Sequence, residues 1–352
     1  MKQILKEVLG VDVAQNELVA SLGRMYSDLT SEIYAYKVFK NSEGGIISLL
    51  KWSKSLANKD VKVQYVMEAT GVYHEKLAYY LEEKGHNVSI VLPNKISNYL
   101  RTMDIKTVTD KTCSEAITRF GLERKLDLWS KPKKVYKELK QLTRERDQIV
   151  EERSMVKNQL HAEKTEAEPN ERSLQRIKQR IQFLNEQEKE IKKDIESIIV
   201  KDEKLKAEIE NICSIPGVAK LTATIILAET NGFELIRNKK QLISYAGLDV
   251  KEKLSGTSVK GKPKISKRGN RHVRKAMHLP SLSSVKYNQN HKDLYIRIVS
   301  RCGIKMKALI AVQRKMLELI YLIYKNKTAF NMNYEKERAD NTKMVAALYK
   351  LA

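Results

Sequence analysis

Cysteine is scarce. Cys113, Cys213 and Cys302 are the three cysteines in 352 residues, too far apart and odd in number to form a disulfide framework or a zinc spacing. That usage implies a reducing, cytoplasmic setting. The six histidines are scattered, without the HExxH or CxxC-type clusters of a metal centre. No apolar run approaches the roughly 18 residues of a spanning helix, and the N-terminus has no apolar segment of the signal-peptide kind. A membrane-spanning or secreted protein is therefore not expected. Negative charge is the other deficit. Asp and Glu number 43 against 66 Lys and Arg, a formal net charge of +23. That excess is larger than solubility needs and points to a polyanionic partner. The length leaves room for two domains and an accessory element.

The basic excess is densest in Leu254 to Arg274, LSGTSVKGKPKISKRGNRHVR, which holds no acid at all. Its glycines and proline deny it a long helix, so the expectation is a flexible cationic loop that becomes ordered near Ile265. Lys260, Lys262, Lys264, Lys267, Arg268, Arg271 and Arg274 are candidate phosphate contacts. A serine among such cations reads in two ways. It is a hydrogen-bond donor in a solvated loop, or a nucleophile whose attack on a phosphate the cations stabilise.

The first third reads as a sheet with acids at strand ends. Glu7 to Val13, Glu17 to Gly23 and Ile33 to Phe39 are three strands. A helix over Ser42 to Asn58 follows, with Ser42 as N-cap. Then come a strand over Val61 to Met67, a helix over Tyr73 to Lys84, and a strand over Asn87 to Leu92 closed by Pro93. Helices over Asn94 to Arg101 and Asp110 to Arg124 end the segment. An antiparallel meander continued by βα units is the order of a ribonuclease-H-like fold. Asp12 lies inside an apolar strand, where an unpaired carboxylate is costly. Glu68 ends another strand, and open α/β sheets collect ligands at such carboxyl ends. Paired carboxylates of this kind suit Mg²⁺ and phosphodiester chemistry.

From Val135 to Leu160 and from Leu174 to Ile212 apolar residues recur in heptads, and Pro169 separates the runs. Two long helices forming a coiled-coil hairpin are expected, with dimerisation favoured by the sustained heptads. Arg146, Arg153, Glu188 and Asp202 fall on the seam and are expected to set register or meet charge on a partner. The last third reads as mostly helical. Cys213 to Glu229 has Ile-Pro-Gly-Val between two helices, in the manner of a helix-hairpin-helix. Helices follow over Asn238 to Tyr245, over Val273 to Lys286 with Ser266 as an upstream N-cap, and over Ile304 to Tyr324. The fold class is thus α/β plus α, divided as 1–130, 131–212, 213–330 and a polar tail at 331–352.

GVDVAQNEL with Asp12, EATGVYH with Glu68 and VTDKTCSEAI with Asp110 resemble the N-terminal domain of the DEDD transposases of the IS-one-ten insertion-sequence family. That domain is RuvC-like, similar to a Holliday-junction resolvase. YAGLDV, SGTS and ISKRGNRHVRKA resemble the family's C-terminal serine transposase domain, in the same chain order. The resemblance implies a metal-binding acid set of Asp12, Glu68 and Asp110 loaded with Mg²⁺. In the family's TDxxDA pattern the second acid slot is here Cys113, a poor Mg²⁺ ligand. Glu115 is the candidate fourth ligand, despite poor helical spacing from Asp110, and Asp104 is a weaker one. The resemblance further implies Ser255 as nucleophile, with Ser258 as the alternative. It also implies donor and target DNA, a structured guide (bridge) RNA and a homo-oligomer, dimer or tetramer. Two other classes compete with an RNA-guided recombinase. One is a metal-only junction nuclease without a serine step, the other a non-catalytic nucleic-acid-binding coiled-coil protein.

Overall fold

The computed structural model describes residues 2–69, 71–103, 105–234, 236–252, 254–255, 259–261 and 263–332. The chain divides into two compact units, Met1–Lys131 and Pro132–Ala352.

The first unit is built on a five-stranded sheet. Strands β1 (Ile4–Val13), β2 (Glu17–Tyr26) and β3 (Ser31–Lys40) form an antiparallel meander. Helix α1 (Glu43–Leu56) leads to β4 (Val63–Glu68), and α2 (Glu75–Glu83) leads to β5 (Asn87–Val91). The spatial order is β3-β2-β1-β4-β5, with β4 parallel to both of its neighbours. This is the meander-plus-βα topology expected of a ribonuclease-H-like domain. Strands β1, β2 and β3 run beyond the sequence-based limits, because the β1–β2 and β2–β3 ladders continue past the apolar positions, whereas β4 starts at Val63 and β5 ends at Val91, inside theirs. Ser42 caps α1 by accepting the Gly45 amide. Helices α3 (Pro93–Leu100) and α4 (Asp110–Glu123) complete the unit.

Two cores flank the sheet, and alternation sorts residues between them. Leu9, Val11, Tyr65 and Met67 pack with Ile46 and Leu49 of α1 and with Leu77 and Leu81 of α2. Val8, Val66 and Val91 face the other way, onto Ile117 and Phe120 of α4 and Ile96 of α3. Helix α4 lies very close to the strands because the contact residues are small. A Cβ on Gly10 would sit 2.4 Å from Thr118 Oγ1, and one on Gly121 2.8 Å from Val8 Cγ1. Polar groups inside this contact are satisfied. The Gly10 amide donates to Thr118 Oγ1, which donates to the Ser21 carbonyl, and the Ser21 and Ser114 hydroxyls are 2.7 Å apart.

The second unit opens with two long helices, α5 (Lys134–Lys164) and α6 (Glu171–Lys201), of 31 residues each. The break between them falls at 165–170, around Pro169 as expected. Leu139, Ile149 and Val156 of α5 share a core with Ile177, Leu184, Ile191 and Ile195 of α6. Arg146, Arg153 and Glu188 of the charged seam find one another within the chain. Glu188 receives Arg146 at 2.9 Å, Lys192 at 2.8 Å and a closer contact from Arg153. Burial pushes the Glu188 carboxyl up, but Lys192, Arg153 and Arg146 outweigh it and hold the group at about 2. The second helix does not continue to Ile212. It stops at Lys201, and Asp202 caps a new helix, α7 (Glu203–Cys213), by accepting the Leu205 amide.

Beyond α7 come α8 (Lys220–Thr230) and α9 (Lys239–Tyr245), the latter capped by Asn238. Ile215-Pro216-Gly217-Val218 lies between α7 and α8, with Gly217 at a φ of +96°. The basic stretch contains short ladders where a loop was expected. Strand β6 (Val250–Lys251) pairs with β9 (Lys264–Ile265), and β7 (Leu254–Ser255) pairs with β8 (Val259–Lys260). The helix expected over Val273 to Lys286 is two helices, α10 (Arg271–Ala276) and α11 (His278–Tyr287). Asn270, not Ser266, caps α10, because its Oδ1 accepts the His272 and Val273 amides. Helix α12 (Gln289–Cys302) was not foreseen, and α13 (Lys305–Asn326) closes the described chain. Its apolar face, with Val312, Met316 and Ile320, joins the same core as α5 to α8. Among the described residues no helix is long and apolar enough to cross a membrane.

Candidate active site

Strand alternation decides which way the acids of the first unit point. Val11 and Met67 are partners in the β1–β4 ladder and pack toward α1 and α2. Asp12 and Glu68 each follow by one residue, so both turn to the opposite face, the one α4 covers. Helix α4 begins there. Thr109 caps it in a reciprocal capping box with Thr112, and Asp110 is its first residue. The Asp12 carboxyl is pushed up to about 6, first by burial and then by the negative charges of Asp110 and Glu68.

Cys113, one turn along α4 from Asp110, belongs to the same group. Burial comes first, and Asp12, Glu68 and Asp110 add to it, in pushing the thiol up to about 11. Four of the side chains singled out in the sequence are therefore brought together: three carboxylates and one thiol that stays protonated at neutral pH. Glu115 instead lies 4.0 Å from Lys111 on the same helix. Asp104 lies outside the described residues.

The donor chemistry suits a hard divalent cation. Such an ion would relieve Asp12 of its burial cost and of the repulsion of Asp110 and Glu68 together. Among the described residues, no three His, Cys, Asp or Glu side chains can hold a metal ion as they stand. The acids are thus an open set of donors and not a preformed cage.

In the second unit the basic stretch is held at its base by a buried knot. Glu229, near the end of α8, has a fully buried side chain. Arg144 of α5 grips it with two nitrogens, Nε to Oε1 at 2.7 Å and Nη2 to Oε2 at 2.9 Å. Asn270 Nδ2 donates to the second oxygen at 2.7 Å, and the Tyr245 hydroxyl donates to the Glu229 carbonyl at 2.5 Å. Burial pushes the Glu229 carboxyl up, yet Arg144 and Asn270 outweigh it and the group stays below the usual carboxylate range. An unpaired carboxylate at this depth would cost several kcal/mol. Gly247 and Gly269 let the two ends of the excursion touch. A Cβ on Gly269 would lie 2.4 Å from the Tyr245 carbonyl oxygen and 2.7 Å from the Gly247 nitrogen.

Ser255 sits in β7, with its backbone opposite Val259 of β8. Lys260 is in β8, opposite Leu254. Ser258, Gly256 and Lys262 lie outside the described residues. Lys264, Lys267, Arg268 and Arg271 are exposed. Arg274 is half-buried, and its Nη1 donates to the Ala246 carbonyl at 2.8 Å, so it also braces the fold. Ser266 donates to Asp249 Oδ1 at 2.6 Å and accepts the Arg268 amide.

The packing residues Gly10, Ser114 and Thr118, which set α4 over the acids, were missed from sequence. A glycine inside the apolar run VLGVDV was their available signal, since such a glycine marks close backbone approach. Glu229 was missed too. A lone acid ending TATIILAE was its signal.

Comparison with known sequences decides the family. A transposase profile matches residues 9–165, and a second one, "Transposase IS116/IS110/IS902 family", matches residues 209–296. The chain belongs to the IS110 family of transposases. The IS110 transposase is accordingly an enzyme of DNA recombination. Its sequence is 26% identical over 333 residues to the pilin gene-inverting proteins of Moraxella lacunata and Moraxella bovis, covering 93% of this chain and 98% of theirs. An insertion element IS110 protein of Streptomyces coelicolor is 27% identical over 119 residues, covering 34% of this chain and 29% of that one. Among solved structures, Thermus thermophilus RuvC in complex with a Holliday junction substrate aligns at 12% identity with a TM-score of 0.25, covering 33% of this chain and 97% of that one.

Proposed function

We propose that this transposase cuts and rejoins DNA strands using Ser255 as nucleophile and the acid group of Asp12, Glu68 and Asp110 as its metal site. The observation that carries the reading is the gathering of three carboxylates at the α4 end of β1 and β4, with Asp12 raised to about 6. The profile match over 209–296 spans Ser255 and supports the serine role. Ser255 Oγ would attack a backbone phosphorus and lose its proton. A deoxyribose oxygen would leave, taking up a proton, and a phosphoserine link would remain. Attack by the hydroxyl of another strand would then restore the serine and join the strands. Asp12, Glu68 and Asp110 would hold Mg²⁺, which supplies stabilisation of developing negative charge. Cys113 stands in for the family's fourth acid and would add no charge. Glu115, 4.0 Å from Lys111, would be the candidate fourth ligand.

Lys260, Lys262, Lys264, Lys267, Arg268 and Arg271 would contact backbone phosphates, with Arg274 bracing them from behind. Such binding weakens steeply with salt. A structured bridge RNA would pair with donor and target DNA, so that base pairing chooses the site and the protein reads backbone and shape. The net charge of +23 supports polyanionic partners of both kinds. We read the α5–α6 hairpin as a coiled-coil arm that meets another protomer in a dimer or tetramer. The turn between α7 and α8 is read as a helix-hairpin-helix-like phosphate contact. Insertion and segment inversion need the same strand exchange, and the names of the Moraxella relatives support that chemistry.

The rival is a metal-only nuclease, because the acid group lies wholly inside the first unit. Ser255→Ala separates the two. The serine reading expects loss of the covalent protein–DNA adduct and of strand exchange by at least about 10³-fold, with DNA binding retained. Cleavage at the wild-type rate by this variant would leave only the nuclease.

A further inference from the structure

We propose that Glu229 is a positioning residue for the serine excursion, tying it to the long helix α5 through Arg144. The proposal rests on the serine reading above. A continuous path of hydrogen bonds carries it. Glu229 receives Arg144 from α5 on both oxygens and Asn270 Nδ2 on one of them. That bond fixes which way the Asn270 amide points. Its Oδ1 is left to accept the His272 and Val273 amides, and its own amide donates to the Tyr245 carbonyl at 2.6 Å. Tyr245 and Asn270 thereby clamp the segments entering and leaving the excursion.

The next rungs follow outward. The Lys267 amide donates to the Gly247 carbonyl at 3.0 Å and the Ser266 amide to the Asp249 carbonyl at 2.8 Å. The Ser266 hydroxyl closes on Asp249 Oδ1. Val250 and Lys251 then pair with Ile265 and Lys264, and beyond them Leu254 and Ser255 pair with Lys260 and Val259. The excursion from 250 to 265 is long, and this clamp at its base is the anchor the described residues give it. A charge pair buried only for stability is replaceable by apolar packing. This one orients an amide that sets the register of two segments at once, so its loss loosens what the serine stands on.

Hydrogen exchange on the full-length protein tests the idea, with Glu229→Gln and, as a milder variant, Arg144→Lys. In Glu229→Gln, amides of 247–251 and 264–267 should exchange at least about tenfold faster, while α6 and α13 keep their protection. The adduct-forming rate should fall about 10–100-fold with DNA affinity unchanged, and Arg144→Lys should fall between it and wild type. Ser266→Ala, which cuts the path beyond the knot, should reproduce part of the loss. Unchanged exchange at 247–251 and 264–267 in Glu229→Gln would overturn the proposal. Uniformly faster exchange through α7 to α13 in both Glu229→Gln and Arg144→Lys would overturn it equally, because the knot would then be a general fold element. The exchange result stands apart from the role of Ser255. If Ser255→Ala still forms adduct, the serine reading fails, and exchange still reports whether the knot anchors the excursion.

Discussion

The two units hold their chemical groups by opposite means. In the first, Asp12, Glu68, Asp110 and Cys113 are placed by rigid elements: two adjacent strands whose acids each follow a paired residue, and a helix clamped to the sheet at Gly10, Ser114 and Thr118. The negative charges there repel, and Asp12 is raised to about 6. In the second, Ser255 stands on two short ladders, and the unit's buried acids are lowered by basic partners, Glu229 by Arg144 and Glu188 by Lys192, Arg153 and Arg146. The first unit stores unfavourable charge in a stiff frame, ready for a cation to relieve. The second has already neutralised its buried charge and uses it to hold backbone. Acids that bind an ion must remain hungry for one, whereas acids that brace a fold must not.

The contrast breaks most visibly if the frame is disturbed. In Gly10→Ala the new methyl would lie 2.4 Å from Thr118 Oγ1, 2.5 Å from the Thr118 nitrogen and 2.7 Å from the Ser114 carbonyl oxygen. Two of these are backbone atoms, so α4 must lift. A loss of about 3 kcal/mol or more is expected, read by hydrogen exchange as lost protection in β1, β2 and α4 with α5 and α6 unaffected. The same lift would carry Asp110 and Cys113 away from Asp12. Retained stability would mean that α4 is not seated on the sheet this closely.

Acid titration sharpens the contrast, because Asp12 and Glu188 respond with opposite signs. The folded Asp12 carboxyl, at about 6, lies above its ordinary value of 3.8. Between those values the folded state binds more protons at Asp12 than the unfolded state, so the Asp12 contribution to the stability of the metal-free first unit rises as pH falls from 7 toward 4, while His74 and His86, held below their ordinary value by burial, contribute in the opposite direction. Glu188 goes the other way, from an ordinary 4.5 to about 2 when folded. Its contribution is present above pH 4.5 and is lost as pH falls toward 2. Peptide-level exchange in EDTA should therefore show protection of β1 and β4 in wild type gaining on that in Asp12→Asn between pH 7 and 5, while α5 and α6 hold steady. Asp12→Asn should flatten the first response and raise stability at pH 7.5, even as it abolishes strand cleavage. A wild-type profile that parallels that of Asp12→Asn would mean that folding does not raise the Asp12 carboxyl.

The sheet was legible in the sequence because its signal is local. Each of the five strands carries its own apolar run or alternation, and Ser42 and Asn238 cap their helices by chemistry that needs no tertiary partner. Asp12 stood out for a related reason, since a charge inside an apolar run is conspicuous whatever surrounds it; Glu68 was read from its strand end, and Asp110, in a polar segment, came only through the family resemblance. What escaped depends on contacts made far along the chain. Ser266 has every local mark of a cap, but Asp249, 17 residues away, takes its hydroxyl, and Asn270 wins the helix through Glu229, 41 residues away. Helix α6 ends at Lys201 although the heptads continue, because Asp202 begins a new helix that turns toward the α8 core. Helix α12 is amphipathic but half-exposed and rich in charge, so its pattern is weak against the apolar α13 that follows.

The smallest expected effect concerns the thiol among the acids. Cys113 is pushed up to about 11, so at neutral pH it is uncharged and contributes neither repulsion nor a hard ligand. Cys113→Asp would place a fourth carboxylate beside Asp12, Glu68 and Asp110. Without metal this adds repulsion, and the first unit should lose about 1 kcal/mol, a few degrees in Tm. With Mg²⁺ present the added oxygen ligand should recover that loss and more, so the metal-induced rise in Tm becomes larger than in wild type. The difference between the two shifts is the informative quantity, since any purely steric effect of the substitution appears in both. An equal Mg²⁺ response in wild type and Cys113→Asp would place the residue-113 side chain outside the ion's reach. The three-carboxylate set would then be the whole of the metal site, and the stiff frame would be organised around Asp12, Glu68 and Asp110 alone.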